Sequence, residues 1–491
     1  MAPAVRAHFI GAAIIRNYAP SPRAGPPRRV GQVYRWVFLA CVAALSGCNL
    51  GPRYHRPAIP PPAAWRPDEV AADAAWPSSD WWQGFGSAQL NSLIEDAQHS
   101  NDDIAAAIAR VREADAQARI AGAPLLPAIS ASGDATRETV LNLTNTGRVT
   151  ANEFSALLNA TYELDFWGKN RAALDAARLA AAASRYDRVT IELTVMTSVA
   201  STFFQAVEAQ DRLTVARDNV ASAQKILKGL QLEKTVGVVT ALDVAQQETT
   251  VAVLNAAIPP LQQQLLQNID TLAILVGKPP EAVQITTGAL ADLSEPKVLP
   301  GLPSELLARR PDIAEAEAQL MAANANVAVA RASFFPSIDL TANGGYESIA
   351  LSSLFNPASR AFTLTGGLTQ PIFEGGALSG QYAFSKARYA ELVSNYHKAV
   401  ISAFSNVEDA LAALQQTALQ RERQEEAVTK ARHAYELTQV QFHAGTINIL
   451  TVLNTESALF TAEDALVQVK YSHFAALVAL FNALGGGWQK A

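Results

Sequence analysis

The sequence predicts an α+β protein. Membrane strands close into a β-barrel only when several chains contribute, and they run on into a tube of long helices. Three observations predict this. The chain repeats itself over most of its length. Each repeat holds two long segments that alternate between apolar and polar residues. The remainder is helix-forming sequence too long for a compact domain.

The repeat comes first. Residues 104–129, IAAAIARVREADAQARIAGAPLLPAI, match 313–338, IAEAEAQLMAANANVAVARASFFPSI. Ile104 aligns with Ile313, Ala114 with Ala323, Pro127 with Pro336 and Ile129 with Ile338, at one constant offset. Further on, Gly237 aligns with Gly445, Leu242 with Leu450, Val244 with Val452 and Glu248 with Glu456, at an offset shorter by one. Chance matching of alanine-rich sequence does not account for the agreement at Pro, Gly and Glu. The pattern reads as a duplication.

Each repeat opens on strands. Ile129, Ala131, Gly133 and Ala135 alternate with Ser130, Ser132, Asp134 and Thr136. Phe154, Ala156, Leu158, Ala160 and Tyr162 alternate with Glu153, Ser155, Leu157, Asn159, Thr161 and Glu163. The second copy sets Ile338, Leu340, Ala342 and Tyr346 against Asp339, Thr341, Asn343 and Glu347. It then sets Phe362, Leu364 and Leu368 against Thr363, Thr365 and Thr369. Period two at this length suits tilted membrane strands. A soluble sandwich also alternates. Four strands are too few to enclose water, so a barrel here needs several chains. Glu153, Asn159, Glu163, Asp339 and Asn343 would then line its lumen.

The helices follow. Residues 172–228 and 381–444 contain neither Gly nor Pro. At about 1.5 Å per residue the second stretch spans roughly 95 Å. Val393, Val400, Val407 and Leu414 recur every seventh residue, as do Val452, Leu459 and Leu466, which marks helices packed along a seam. Each long helix ends near a glycine, Gly237 or Gly445, and a returning helix starts at Thr240 or Asn448 as N-cap. Two long hairpins result, the first interrupted on its return by Pro259-Pro260.

Composition bounds the partners. Of 491 residues, 17% are charged, and no apolar run in the body reaches the ~18 residues of a membrane helix. A spanning chain of this kind therefore needs a closed barrel. The first 47 residues carry six arginines and no Lys, Asp or Glu; without them 33 basic side chains face 45 acidic ones and the net charge moves from −6 to −12. That balance argues against nucleic acid as a partner.

Arg28, Arg29 and Arg35 precede a short apolar run, Trp36 to Leu45, which ends in Ser46-Gly47-Cys48. This resembles a bacterial lipoprotein signal. The resemblance implies N-palmitoyl and S-diacylglycerol on Cys48 as first mature residue and, with Asn49 following, delivery to the outer membrane. A plain secretory signal with a chance cysteine is the alternative. Neither Cys41 nor Cys48 has a disulfide partner in the mature chain. Residues 1–27, with Pro20, Pro22, Pro26 and Pro27, make a long lead-in, and translation is expected to start later than Met1.

Ordered motifs along residues 45–488 resemble the TolC-like outer membrane factor family, in its NodT-type branch of efflux lipoproteins found with resistance-nodulation-division pumps. They are Cys48-Asn49-Leu50-Gly51-Pro52-Arg53-Tyr54, Trp81-Trp82 with Phe85, Leu307-Ala308-Arg309-Arg310-Pro311-Asp312, Gln370-Pro371-Ile372-Phe373 before Gly375-Gly376, and Gly445-Thr446 ahead of Leu450. The resemblance implies a homotrimer with a twelve-stranded barrel and a periplasmic helical tunnel. It implies a periplasmic adaptor (a membrane fusion protein) and an inner-membrane pump as partners. It implies a passive duct, not an enzyme. The chain then divides into a signal, 1–47, and a lipid-anchored and equatorial segment, 48–103. The first repeat, 104–312, has strands at about 127–140 and 150–166 and a hairpin at about 172–275. The second, 313–491, has strands at about 336–347 and 360–373 and a hairpin at about 381–484.

The resemblance also implies a gate at the periplasmic tips. Asp243 falls where the family has a gate aspartate. A solvated helix-start aspartate is the plainer reading of the same residue. Thr451 and Asn454 stand where the family can have Asp, and Phe442 where some members have Tyr, so the gate is expected to be more hydrogen-bonded than charged. No cofactor, metal site, Walker motif or catalytic constellation stands out. Two alternatives remain: a periplasmic coiled-coil lipoprotein that scaffolds without a pore, and an outer-membrane duct for protein secretion.

Overall fold

The computed structural model describes residues 51–489 except 63, 67–75, 142–147, 299, 300 and 302. Cys48 and the export segment lie outside the described residues. The elements are α1 (Ala88–Ser100), α2 (Asp102–Gly122), β1 (Ala128–Leu141), β2 (Arg148–Glu163), α3 (Lys169–Thr235), α4 (Ala241–Ala256), α5 (Ile258–Leu275), α6 (Pro303–Arg309), α7 (Pro311–Ala332), β3 (Ser337–Ser348), β4 (Arg360–Thr369), α8 (Ala377–His443) and α9 (Ile449–Ala483).

Helices α3 and α8 each run 67 residues, about 100 Å. Both begin after a left-handed glycine, Gly168 or Gly376. Ahead of α3, the Asp165 carboxylate accepts from the backbone N–H groups of Asn170 and Arg171, at 2.9 Å each. These are donors that no intrahelical carbonyl can reach. This cap shortens β2, which ends at Glu163 and not near 166. Strand β4 likewise stops at Thr369, short of 373, because Pro371 has no N–H for a ladder. The proline pair acts as expected: the first return path breaks between Ala256 and Ile258, while α9 runs unbroken for 35 residues.

The four strands form one antiparallel sheet in the order β1-β2-β3-β4, with β1 and β4 at open edges. The central β2–β3 pairing joins the two repeats. Register decides which residues share a face, since opposed residues point the same way. Thr136 opposes Glu153, Asn159 opposes Asn343, Glu163 opposes Asp339 and Asn343 opposes Thr363. All the polar sets named from the sequence therefore fall on one face. The apolar sets fall on the other, where Ile129, Leu158, Phe362, Leu364 and Leu368 are largely exposed.

The helices are held by two clusters near their middle. Phe85, Phe203, Phe204, Phe474 and Phe481 are all buried and anchor the first. Ring centroids lie 4.9 Å apart for Phe85–Phe204 and 5.1 Å for Phe204–Phe474. Each such ring contributes about 2–3 kcal/mol by burial. The second cluster lies along the predicted seam, with Leu392, Tyr396, Val400, Val407 and Leu411 of α8 against Ile313 and Leu320 of α7.

Candidate functional site: the strand wall and the hairpin tips

The apolar face of the sheet forms a band from Phe154 to Tyr162 of β2 and from Ile338 to Tyr346 of β3, continued on the edge strands. About nine residues of strand, tilted ~40°, give roughly 23 Å of height, close to the ~25 Å apolar band of outer-membrane barrels. Beyond the band this face turns polar at Arg137, Thr139, Thr150 and Asn152. Aromatic residues mark both borders. At the helix end Trp167 donates from Nε1 to the Pro336 carbonyl at 2.8 Å and lies 4.8 Å from the Phe335 ring. Phe373, four residues after the end of β4, is 88% exposed. At the far end Tyr346 and Phe355 stand 5.5 Å apart. Such girdles sit at membrane interfaces.

The polar face holds the five predicted lumen residues. Glu153 is exposed. Asn159 donates to Ser132 Oγ at 3.0 Å. Glu163 accepts from Lys169 Nζ at 2.7 Å, and Asp339 accepts from Ser337 Oγ at 2.9 Å. Asn343 faces Asn159 across the ladder. Asp134, Glu138 and Glu347 share this face, and no Lys or Arg lies on it among the described residues. Apart from Lys169 at its helix end, the wall is acidic.

The far ends of the hairpins hold the predicted tip residues. Gly237 and Gly445 have φ of 77° and 69°. Val238 donates back to Glu233 and Thr446 back to Gln441, both at 3.0 Å, the six-to-one bond that closes a helix over a left-handed residue. Asp243 is half-buried and completes a capping box. Its Oδ2 accepts from the backbone N–H and hydroxyl of Thr240, at 2.7 Å each, and its own N–H donates to Thr240 Oγ1 at 3.3 Å. In the second hairpin Asn448 Oδ1 accepts from the N–H of Thr451 at 3.2 Å and from its hydroxyl at 3.0 Å. Asn454 is exposed. Phe442 packs on a cluster of Leu230, Val244, Ile449, Val452, Leu459 and Phe460 that joins the two hairpins. Beside this cluster runs a groove of about 900 Å³ between α3, α8 and α9.

Two features escape a sequence reading. Inside the tip cluster Glu456 and Gln247 are wholly buried, next to Tyr435. Burial lifts the Glu456 carboxyl to about 7. A signal existed, since Glu456 lies on the same helix stripe as Val452 and Leu459. Nearer the middle, Arg212 of α3 reaches Asp464 of α9 at 2.7 Å and Glu208 at 3.2 Å, tying one hairpin to the other.

The chain after Cys48 is strapped along the helices. The Pro52 carbonyl accepts from Asn324 Nδ2 at 3.0 Å. Arg56 Nε donates to Glu317 Oε1 at 2.7 Å, and Trp65 Nε1 donates to the Gly301 carbonyl at 2.7 Å.

Comparison with known proteins places this architecture. The family model described as "Outer membrane efflux protein" matches residues 93–278 and 302–486, one stretch per repeat. The pyoverdine export outer membrane protein OpmQ of Pseudomonas putida is 41% identical over 88% of this chain and 93% of its own length. The cation efflux system protein CusC of Escherichia coli K12 is 32% identical over 91% and 98%. Among solved structures, the outer-membrane channel OprN superposes with a TM-score of 0.85 at 27% identity, covering 90% of this chain and all of that one. The open state of the Neisseria gonorrhoeae MtrE outer membrane channel superposes at 0.82 with 26% identity, covering 90% and 98%.

Proposed function

The chain belongs to the outer membrane efflux protein family, and from that premise we propose that three copies close a twelve-stranded barrel and serve as a passive exit duct. The protein is an outer-membrane efflux channel component that extends into the periplasm. One observation carries the trimer: the sheet has an apolar outer face but two unpaired edges, β1 and β4. In lipid an unpaired strand edge is not tolerated, so β4 of one copy pairs with β1 of the next. The acidic residues of the polar face then meet the water of the lumen, and no catalysis is asked of them.

The duct works with a periplasmic adaptor and an inner-membrane pump, which supply energy and choose the cargo. Relatives named for pyoverdine export and for cation efflux match over nine-tenths or more of their own length. One scaffold thus serves unlike cargoes. The chain is held to the membrane by lipid on Cys48. Asn324, which ties down Pro52, lies eight residues before the end of α7, about 12 Å from the strand end of that helix. Pro52 follows Cys48 by four positions, at most ~14 Å of chain.

The test is accumulation in the native host with and without this gene, with a plasmid-restored control. Dyes, antibiotics, siderophores and metal ions make up the panel. At least one class should build up in the deletion strain and clear on restoration. Unchanged accumulation of every class, together with loss of a secreted protein, would support the secretion-duct reading instead.

A further inference from the structure

Glu456 stands where the two hairpins meet. The repeat pairs it with Glu248, yet Glu248 is exposed and Glu456 is 0% exposed. Its surroundings come from every helix of the tip. From α4, Gln247 faces it, also 0% exposed. From α8, the phenol of Tyr435 faces it. From α3, Leu230 closes the cluster, and from α9 itself Val452, Leu459 and Phe460. Lys225 and Glu233 of α3 and Arg432 and Glu436 of α8 line the adjoining groove. None of these charged groups acts on the Glu456 carboxyl.

The hydrogen bonding is incomplete in a way that points to a missing proton. Gln247 Nε2 donates to the Ala223 carbonyl of α3 at 2.9 Å. Gln247 Oε1 and both carboxyl oxygens of Glu456 are buried without a well-formed partner. An ionised Glu456 has no cation opposite; only the Tyr435 phenol and the Gln247 amide face it, without well-formed bonds, and a buried charge so poorly paired is strongly disfavoured. A protonated Glu456 brings one O–H donor, and Gln247 Oε1 is an orphan acceptor on the other hairpin.

We propose that Glu456 is a proton-binding site at the periplasmic tips: with its proton it bonds the second hairpin to the first, and without it the hairpins come apart. That the tips are the end that opens rests on the duct function proposed above; the proton site itself does not.

The sign follows from linkage. In the packed tip the carboxyl titrates at about 7 rather than its ordinary 4.5. In a loosened, wetted tip it returns to the ordinary value. The packed form therefore binds the proton more tightly. Its advantage is complete below about pH 4.5, falls between there and about 7, and is lost above. Across that window the packed-to-loose ratio drops by roughly a hundredfold.

The test uses the full-length protein in detergent and the variant Glu456→Gln, which stays neutral at every pH and keeps the shape. Amide hydrogen exchange is followed over residues 241–256 and 449–462 from pH 5 to pH 8. At pH 5 the two proteins should protect these segments alike. At pH 8 the wild type should exchange at least tenfold faster than the variant. Coincident exchange at every pH overturns the proposal. Conductance of the same samples in planar bilayers adds an independent arm. If exchange rises with pH and conductance rises with it only in the wild type, the site controls the opening. If exchange rises and conductance stays flat in both, the proton site stands and the tips are not the gate.

Discussion

Asp243 shows how far one residue can be read from sequence. A carboxylate three residues after the N-cap Thr240 satisfies the capping-box spacing, and both reciprocal bonds form. Its charge also lies at the positive end of α4. Replacing Asp243 by Ala should cost about 1 kcal/mol, felt locally. Hydrogen exchange at residues 241–246 should speed up about fivefold, with the melting temperature nearly unchanged; equal exchange in the two proteins would remove the cap from the account. The cap was legible because its partners are neighbours in sequence. Glu456 was legible only as a charge on an apolar stripe, since Gln247 and Tyr435 reach it from other helices.

At the scale of elements, the duplication reaches further than the sequence matches. Gly277 and Gly485 follow the two return helices at equivalent places, and both have positive φ. A Cβ on Gly277 would lie 2.2 Å from the Ser100 carbonyl oxygen, and one on Gly485 would lie 2.1 Å from that of Arg309. Each glycine thus lets a hairpin end pack against the junction before α2 or α7. The flanking residues repeat the scheme. Asn101 Nδ2 donates to the Leu275 carbonyl at 2.8 Å, and Arg310 donates to the Ala483 carbonyl at 2.9 Å. Asn and Arg are unlike residues, so sequence matching passes over a pair that serves one purpose. Gly485→Ala should destabilise by about 2–4 kcal/mol, whereas Gly380→Ala on the open surface of α8, with nothing within 4 Å of its Cβ, should stabilise by about 0.5–1 kcal/mol. Calorimetry of the purified variants reads both. Melting shifts of the same sign would contradict this assignment. The long helices and the strand faces were legible from period and from missing Gly and Pro. The ends of β2 and β4 were not, because Asp165 and Pro371 end the ladders by local bonding that alternation does not register.

The whole molecule is incomplete as one chain. Its sheet has a lipid-compatible face, an acidic face and two open edges, while its hairpins run about 100 Å away from that sheet. Four strands per chain and the need to enclose water point to closure by identical copies. The number of copies came from the family resemblance, since an open edge alone sets no count. The most direct measurement is native mass spectrometry of the protein extracted from outer membranes in mild detergent. Three mature chains are expected, each starting at Cys48 and carrying the mass of three acyl chains. A monomer, or a ladder of open oligomers without a closed trimer, would contradict it.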